Sequence, residues 1–130
     1  MENGFMDYAV VERWLERYEQ AWRTPGTDRL HELFISTASY LPSPWALSLD
    51  GLDEIAQFWE SERDDAREDF TMSSDVIAVD GDTAVVRVEV EYAASLSGHW
   101  RDLWVLGFAP DGRCASFEEW PFAPNQPDGH

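Results

Sequence analysis

Residues 83–92, Thr-Ala-Val-Val-Arg-Val-Glu-Val-Glu-Tyr, alternate almost strictly between apolar and charged side chains. Successive strand side chains project to opposite sides, so Val86, Val88, Val90 and Tyr92 share one face and Arg87, Glu89 and Glu91 the other. Such a strand needs hydrogen-bonded neighbours and a cover for its apolar face. The flanking sequence supplies the neighbours. Residues 70–79 read as a preceding strand, and Asp80-Gly81 as a hairpin turn whose central positions both take positive φ. The central strand is expected to reach Ala94, followed by a loop at 95–98. Residues 99–109 and 113–122 read as two more strands, joined through Pro110-Asp111-Gly112.

The cover lies in the N-terminal half. Within residues 7–23, Tyr8, Val11, Trp14, Leu15, Tyr18 and Trp22 recur at spacings of three and four, which puts them on one face of a helix. Thr24-Pro25-Gly26 ends it. Thr27 is expected to cap a second, short helix over 28–34, with Leu30, Leu33 and Phe34 inward. Residues 37–41 read as a short strand, and Pro42 and Pro44 then force an extended segment carrying Trp45 and Leu47. A third helix is expected from Leu52 to about residue 65, with Leu52, Ile55, Phe58 and Trp59 as its stripe and Asp53 and Glu54 at its positive end. Residues 60–69 are mostly charged and read as a solvated helix end and loop; residues 123–130 read as an extended tail. Helices early and an antiparallel meander late make an α+β domain.

A chain of 130 residues is one domain, 1–130 with its core at 7–122, and 44% hydrophobic residues suffice for that core. Seven Trp and seven Phe can fill a core or line an apolar cavity. A net charge of −17, with all nine basic residues Arg, argues against nucleic acid and anionic membranes as partners. The single cysteine, Cys114, leaves no intrachain disulfide and no cysteine-rich metal site, and reads as a small buried hydrophobe. The N-terminus lacks the pattern of a signal peptide, and no segment has the apolar length of a membrane helix, so a cytoplasmic protein is expected. No phosphate loop, metal-ligand spacing or nucleophilic triad is visible.

The element order, the opening of the third helix as Leu52-Asp-Glu-Ile55 with Phe58-Trp59, and the ending Phe117-Glu-Glu-Trp-Pro-Phe122 resemble the NTF2-like superfamily in its SnoaL-like branch, over residues 8–122. That resemblance implies a cone-shaped fold, with three N-terminal helices packed on a curved, mostly antiparallel sheet. It hosts isomerases, cyclases, dehydratases, epoxide hydrolases and non-catalytic binders. It also implies a pocket lined by Tyr18, Trp22, Tyr40, Trp59, Trp100, Asp102, Trp104, Phe117 and Glu119, taking a small, largely apolar molecule without a cofactor. In this fold the outer sheet face often pairs with a second subunit. Simple patterning puts Val86, Val88 and Val90 in the core and Arg87 and Glu89 in water; on the ground of that pairing the valines are expected instead to face a homodimer interface, and Arg87 and Glu89 the cavity.

Among the family's chemistries, Tyr18 matches the helix-one tyrosine of ketosteroid isomerases, but Leu41 and Trp104 stand where their two aspartates belong. His31, His99 and His130 do not form the histidine pair of scytalone-dehydratase-like sites. Arg87-Val-Glu89 with Glu119 and Tyr40 looks like the limonene-epoxide-hydrolase arrangement. Carried over, Glu119 is the base that deprotonates water, Glu89 the acid that protonates the opening ring, and Arg87 the bridge between them. Both carboxylates are Glu where those enzymes carry Asp, Pro42 replaces a polar water-holding residue, and Asp102 is an added carboxylate. The bland alternative makes Arg87, Glu89, Asp102 and Glu119 a structural ion-pair network in a ligand carrier or dimerisation module.

Overall fold

The computed structural model describes residues 7–62, 70–92 and 98–124. The charged stretch at 63–69, residues 93–97 with Ala94 and most of its loop, and the tail past 124, with His130, lie outside the described residues.

Helix α1, Tyr8–Arg23, starts where the Asp7 carboxylate accepts the Val10 amide at 2.9 Å, and stops at Thr24, whose extended backbone turns its N–H back to Ala21. Its buried residues are Val11, Trp14, Leu15, Tyr18 and Ala21, the face its periodicity predicts. Helix α2 is a single turn, Leu30–Leu33. It is shorter than expected because Phe34 already has extended dihedrals and opens the first strand; Arg29 stands at the cap position with no side-chain cap bond, so Thr27 does not cap it. Strand β1, Phe34–Leu41, is followed by a two-residue strand β2, Leu49–Asp50, that the sequence did not reveal. Gly51, at φ 90°, turns the chain into helix α3, Leu52–Glu62, and the Glu54 carboxylate reaches back to the Asp50 amide at 2.8 Å.

The four late strands follow as β3, Phe70–Asp80, β4, Thr83–Tyr92, β5, His99–Phe108, and β6, Cys114–Phe122. The β3–β4 loop is Gly81–Asp82, since Asp80 pairs with Thr83; only Gly81 has positive φ, so one glycine suffices where two such residues were expected.

Six strands form one sheet in the order β2-β1-β6-β5-β4-β3. The β1–β6 pair is parallel and the other pairs are antiparallel. The three helices are two long ones and one turn, and α3 comes after β1 and β2. Helices α1 and α3 contribute Val11, Trp14, Leu15, Tyr18, Ile55 and Trp59 to a core completed by Phe34, Ala38, Tyr40, Val86, Val88, Trp104, Leu106, Cys114 and Phe117 of the strands. Phe58, expected in the core, only packs against it. Among the described residues, no helix is long and apolar enough to cross a membrane.

Candidate functional site

Strand β4 turns Val86, Val88 and Val90 inward. Val86 and Val88 are 0% and 1% exposed, and Arg87 between them is exposed on the outer face. The expectation that Arg87 and Glu89 face the cavity while Val86, Val88 and Val90 face outward is therefore corrected. Three β-branched side chains gain more from burial than an arginine whose desolvation would need a full set of partners. Glu89 lies on the outer face with His99 and Arg101: His99 Nε2 is 2.6 Å from Glu89 Oε2, and Arg101 Nε is 3.4 Å away. The hydrogen bond from His99, assisted by the Arg101 charge, holds the Glu89 carboxyl below its ordinary range. The bridge Arg87–Glu89–Glu119 does not form, because two of its members and the third sit on opposite faces of the sheet.

The inner face of β5 and β6 carries a different pair. The register places Asp102 opposite Val88 and Pro121, and Trp104 opposite Val86 and Glu119. Alternation then puts Trp100, Asp102, Trp104, Phe117 and Glu119 on one face. Asp102 is 7% exposed; the Trp104 indole N–H donates to its Oδ2 at 3.2 Å, and its Oδ1 has no hydrogen-bond partner among the described residues. Glu119 is partly covered beside it. Burial pushes the Glu119 carboxyl well above its ordinary range; hydrogen bonding to Asp102 and the Asp102 charge add to this, with Glu62 at the end of α3 a further like charge. A carboxyl that has lost water beside another acid gives up its proton less readily, because ionising it costs repulsion as well as desolvation.

The helices bring phenols and indoles to the same place. Tyr18 from α1 and Tyr40 from β1 are buried, and each hydroxyl is the other's hydrogen-bonding neighbour. Burial raises both phenols well above their ordinary range, Glu119 adding to each, so both stay O–H groups. The Tyr18 ring lies 4.8 Å from Trp104 and 5.3 Å from Trp59, and Trp22 lies 4.8 Å from Trp59. Phe117 stacks on Tyr40 at 4.4 Å. Of the residues expected to line an aromatic pocket, these rings fill the interior and touch one another. The half-buried members, Trp22, Trp100 and Glu119, form its accessible edge. A recess of about 160 Å³ opens elsewhere, at the turn after α1, between Thr24, Gly26, Arg29, Leu30 and Trp59. His99, expected near the pocket mouth, is engaged outside, and Cys114 is a buried thiol raised by burial to about 12. Among the described residues, no group of three or more His, Cys, Asp or Glu could hold a metal ion.

Asp102 and Glu119 were both legible as candidates; their partnership without Arg87 was not. The signal was a pair of acids on the tryptophan-bearing face, Trp100-x-Asp102-x-Trp104 beside Phe117-x-Glu119.

A family model for the SnoaL-like domain matches residues 11–118. The chain belongs to the SnoaL-like family. The fold agrees with solved structures of low identity. The epoxide hydrolase/cyclase-like enzyme SalBIII of pyran ring formation in polyether salinomycin is 15% identical, with 89% of this chain and 93% of that one covered at a TM-score of 0.70. An LEH-like epoxide hydrolase of M. tuberculosis is 14% identical, with 88% and 84% covered at a TM-score of 0.67. An NTF2-like protein of unknown function from Silicibacter pomeroyi is 22% identical, with 88% and 94% covered at 0.60. No curated protein matches the sequence significantly. At these identities the likeness is one of fold.

Proposed function

We propose that this SnoaL-like protein carries out a cofactor-free acid/base reaction on a small, largely apolar molecule at the inner face of β5 and β6, by hydrolysis, isomerisation or cyclisation. The observation that carries the reading is buried Asp102 beside half-buried Glu119 against an aromatic wall, where lost water and the neighbouring acid push the Glu119 carboxyl well above its ordinary range. In this reading protonated Glu119 is the general acid, delivering its proton to an oxygen that becomes a leaving group or an enol. Asp102, aimed by the Trp104 N–H, is the base that takes a proton from water or from the substrate. The Tyr18 and Tyr40 hydroxyls act as neutral donors that orient a substrate oxygen. Tyr18, Trp22, Trp59, Trp100, Trp104 and Phe117 supply the apolar wall. Arg87 and Glu89 have no part in it. The epoxide hydrolase and the hydrolase/cyclase-like enzyme among the structural neighbours support ring-opening or ring-closing chemistry as the first to assay.

The test is turnover of a panel of small apolar epoxides and lactones by the parent, Glu119→Gln and Asp102→Asn, with far-ultraviolet circular dichroism as the folding control. The reading requires that each substitution lower kcat at least ~10²-fold, the usual contribution of a positioned acid or base. Turnover that survives both substitutions in folded protein removes it.

A second reading, a non-catalytic binding or dimerisation module, is favoured by the closed ring stack inside and the apolar residues outside. Leu103, Trp120 and Phe122 are 41%, 40% and 44% exposed on the outer face, and Leu103 pairs directly with Trp120. We propose that this patch, not the valines of β4, is the homodimer contact, and sedimentation across a concentration series tests it. We also place the protein in the cytoplasm, a setting that a free buried cysteine fits.

A further inference from the structure

The recess at the turn between α1 and α2 holds about 160 Å³, room for roughly five waters. Neither Asp102 nor Glu119 lines it. Its floor is apolar and comes from three helices: Ala21 of α1, Leu30 of α2 and Trp59 of α3, all buried. Trp59 is itself fixed by ring contacts with Tyr18 at 5.3 Å and Trp22 at 4.8 Å, so packing sets the shape of the floor. The rim is polar. Thr24 and Thr27 are half-buried on it, and Asp28 and Arg29 are exposed. The Thr24 hydroxyl already donates to the Gln20 carbonyl at 2.7 Å. Asp28 and Arg29 carry opposite charges at adjoining positions, yet among the described residues neither forms an ion pair, with the other or with anything else. Asp28 accepts from His31 through its backbone carbonyl alone, and Arg29 stands at the α2 cap with no side-chain cap bond. Arg23, Arg101 and Arg113, by contrast, are each held by an acid.

We infer that this recess binds a small zwitterion with an apolar side chain, an α-amino acid of about leucine's size. Its carboxylate sits at Arg29, its ammonium at Asp28, and its side chain on the floor of Ala21, Leu30 and Trp59. Volume sets the size. A dry cavity of ~150 Å³ takes one benzene ring, so this recess suits a branched aliphatic or single-ring side chain and is too small for a polycyclic body. Charge sets the class. A chain of net charge −17 repels a simple anion, and Arg29 repels a simple cation at the rim. A ligand whose two charges cancel meets neither objection, and an amino acid carries both on one carbon with the apolar group beyond them. The guanidinium fork takes a carboxylate through two parallel N–H bonds, and the Asp28 carboxylate accepts from an ammonium. This site goes beyond the acid/base reading. Of the residues placed in that reaction it shares only Trp59, so the two stand or fall separately.

The experiment titrates the isotope-labelled full chain with leucine, with isocaproate, which lacks the ammonium, and with isoamylamine, which lacks the carboxylate. The readout is the Trp59 indole N–H resonance, assigned through Trp59→Phe. Leucine is expected to bind about 5-fold more tightly than either analogue, the upper range for one charge pair near water. That advantage should shrink in about 1 M salt, where charges are screened within ~3 Å. Arg29→Gln should bring leucine down to the affinity of isoamylamine, and Asp28→Asn to that of isocaproate. Thr27→Trp, which fills the recess, should abolish binding of all three, with circular dichroism as the folding control. Folded Asp102→Asn should bind leucine as the parent does, which separates this site from the proposed reaction. Either analogue binding as tightly as leucine overturns the zwitterion. Leucine binding unchanged in folded Arg29→Gln and Asp28→Asn places the ligand elsewhere and overturns the site. A Trp59 resonance that none of the three compounds moves overturns it as well.

Discussion

Glu89 and Glu119 lie two strands apart in the same sheet, and their carboxyls are shifted in opposite directions. On the outer face Glu89 keeps its water, gains a hydrogen bond from His99 and a neighbouring Arg101, and ionises more readily than usual. On the inner face Glu119 loses water and gains another acid, and holds its proton. Residue type is the same and sequence context is similar, each glutamate being followed directly by an apolar residue, Val90 or Trp120. The face of the sheet decides. An exposed carboxylate beside cations is a solvated surface feature worth little energetically, whereas a covered one beside a carboxylate is a proton store.

The inner face is where disturbance should cost most. Phe117, 1% exposed and in ring contact with Tyr40, Tyr18, Trp104, Trp14 and Phe34, is its keystone. Phe117→Ala is expected to destabilise the fold by about 3–5 kcal/mol in chemical denaturation; a loss near zero would mean that the ring stack is not a packed core.

The next largest effect tests the proton store. A native carboxyl whose affinity for protons exceeds the unfolded one contributes stability that is complete below the ordinary glutamate range and is lost as pH rises through the raised one. Thermal stability should therefore fall with rising pH across that window, by up to about 1.4 kcal/mol per pH unit. Glu119→Gln should flatten the slope. A slope that persists unchanged in the variant would assign the titration to another group.

On the outer face the apolar patch should matter more than the ion pairs. Leu103→Asp, or the same change at Trp120, places a charge in the proposed dimer contact and is expected to shift sedimentation toward monomer with the folded state retained. Both variants sedimenting as the parent does would move the contact off this patch.

The smallest effects complete the contrast. Arg87→Ala is expected to leave both stability and any turnover at parental levels, since its side chain is in solvent. Glu89→Gln should remove a contribution present only above the ordinary glutamate range and lost as pH falls, a sense opposite to that of Glu119 and too weak, at an exposed site, to move the midpoint measurably. A large activity loss on Arg87→Ala would bring the outer face back into the chemistry and undo the comparison.

By itself the sequence determined the features that depend only on neighbours along the chain. The three- and four-residue spacing of Val11, Trp14, Leu15 and Tyr18 fixed α1 and its buried face. The alternation over residues 83–92 fixed β4 and sorted its side chains into two sets. Element order and the Leu52 and Phe117 motifs placed the chain in its family. The two-residue strand β2 escaped because a segment that short has no period; it exists only because Ser39 and Tyr40 offer it a partner. The early end of α2 escaped for a related reason, since Phe34 is drawn into pairing with Cys114, far along the chain. Which face of β4 looks inward was read two ways. Alternation alone is symmetric about the sheet; simple patterning put the valines in the core, while the family resemblance, with its outer-face dimers, pointed the wrong way. Only the helices, by covering one side, broke that symmetry and buried Val86 and Val88. The same packing brought Asp102 and Glu119 together from different strands under Tyr18; the raised proton affinity of Glu119 depends on distance and on lost water, and neither is written in the order of residues.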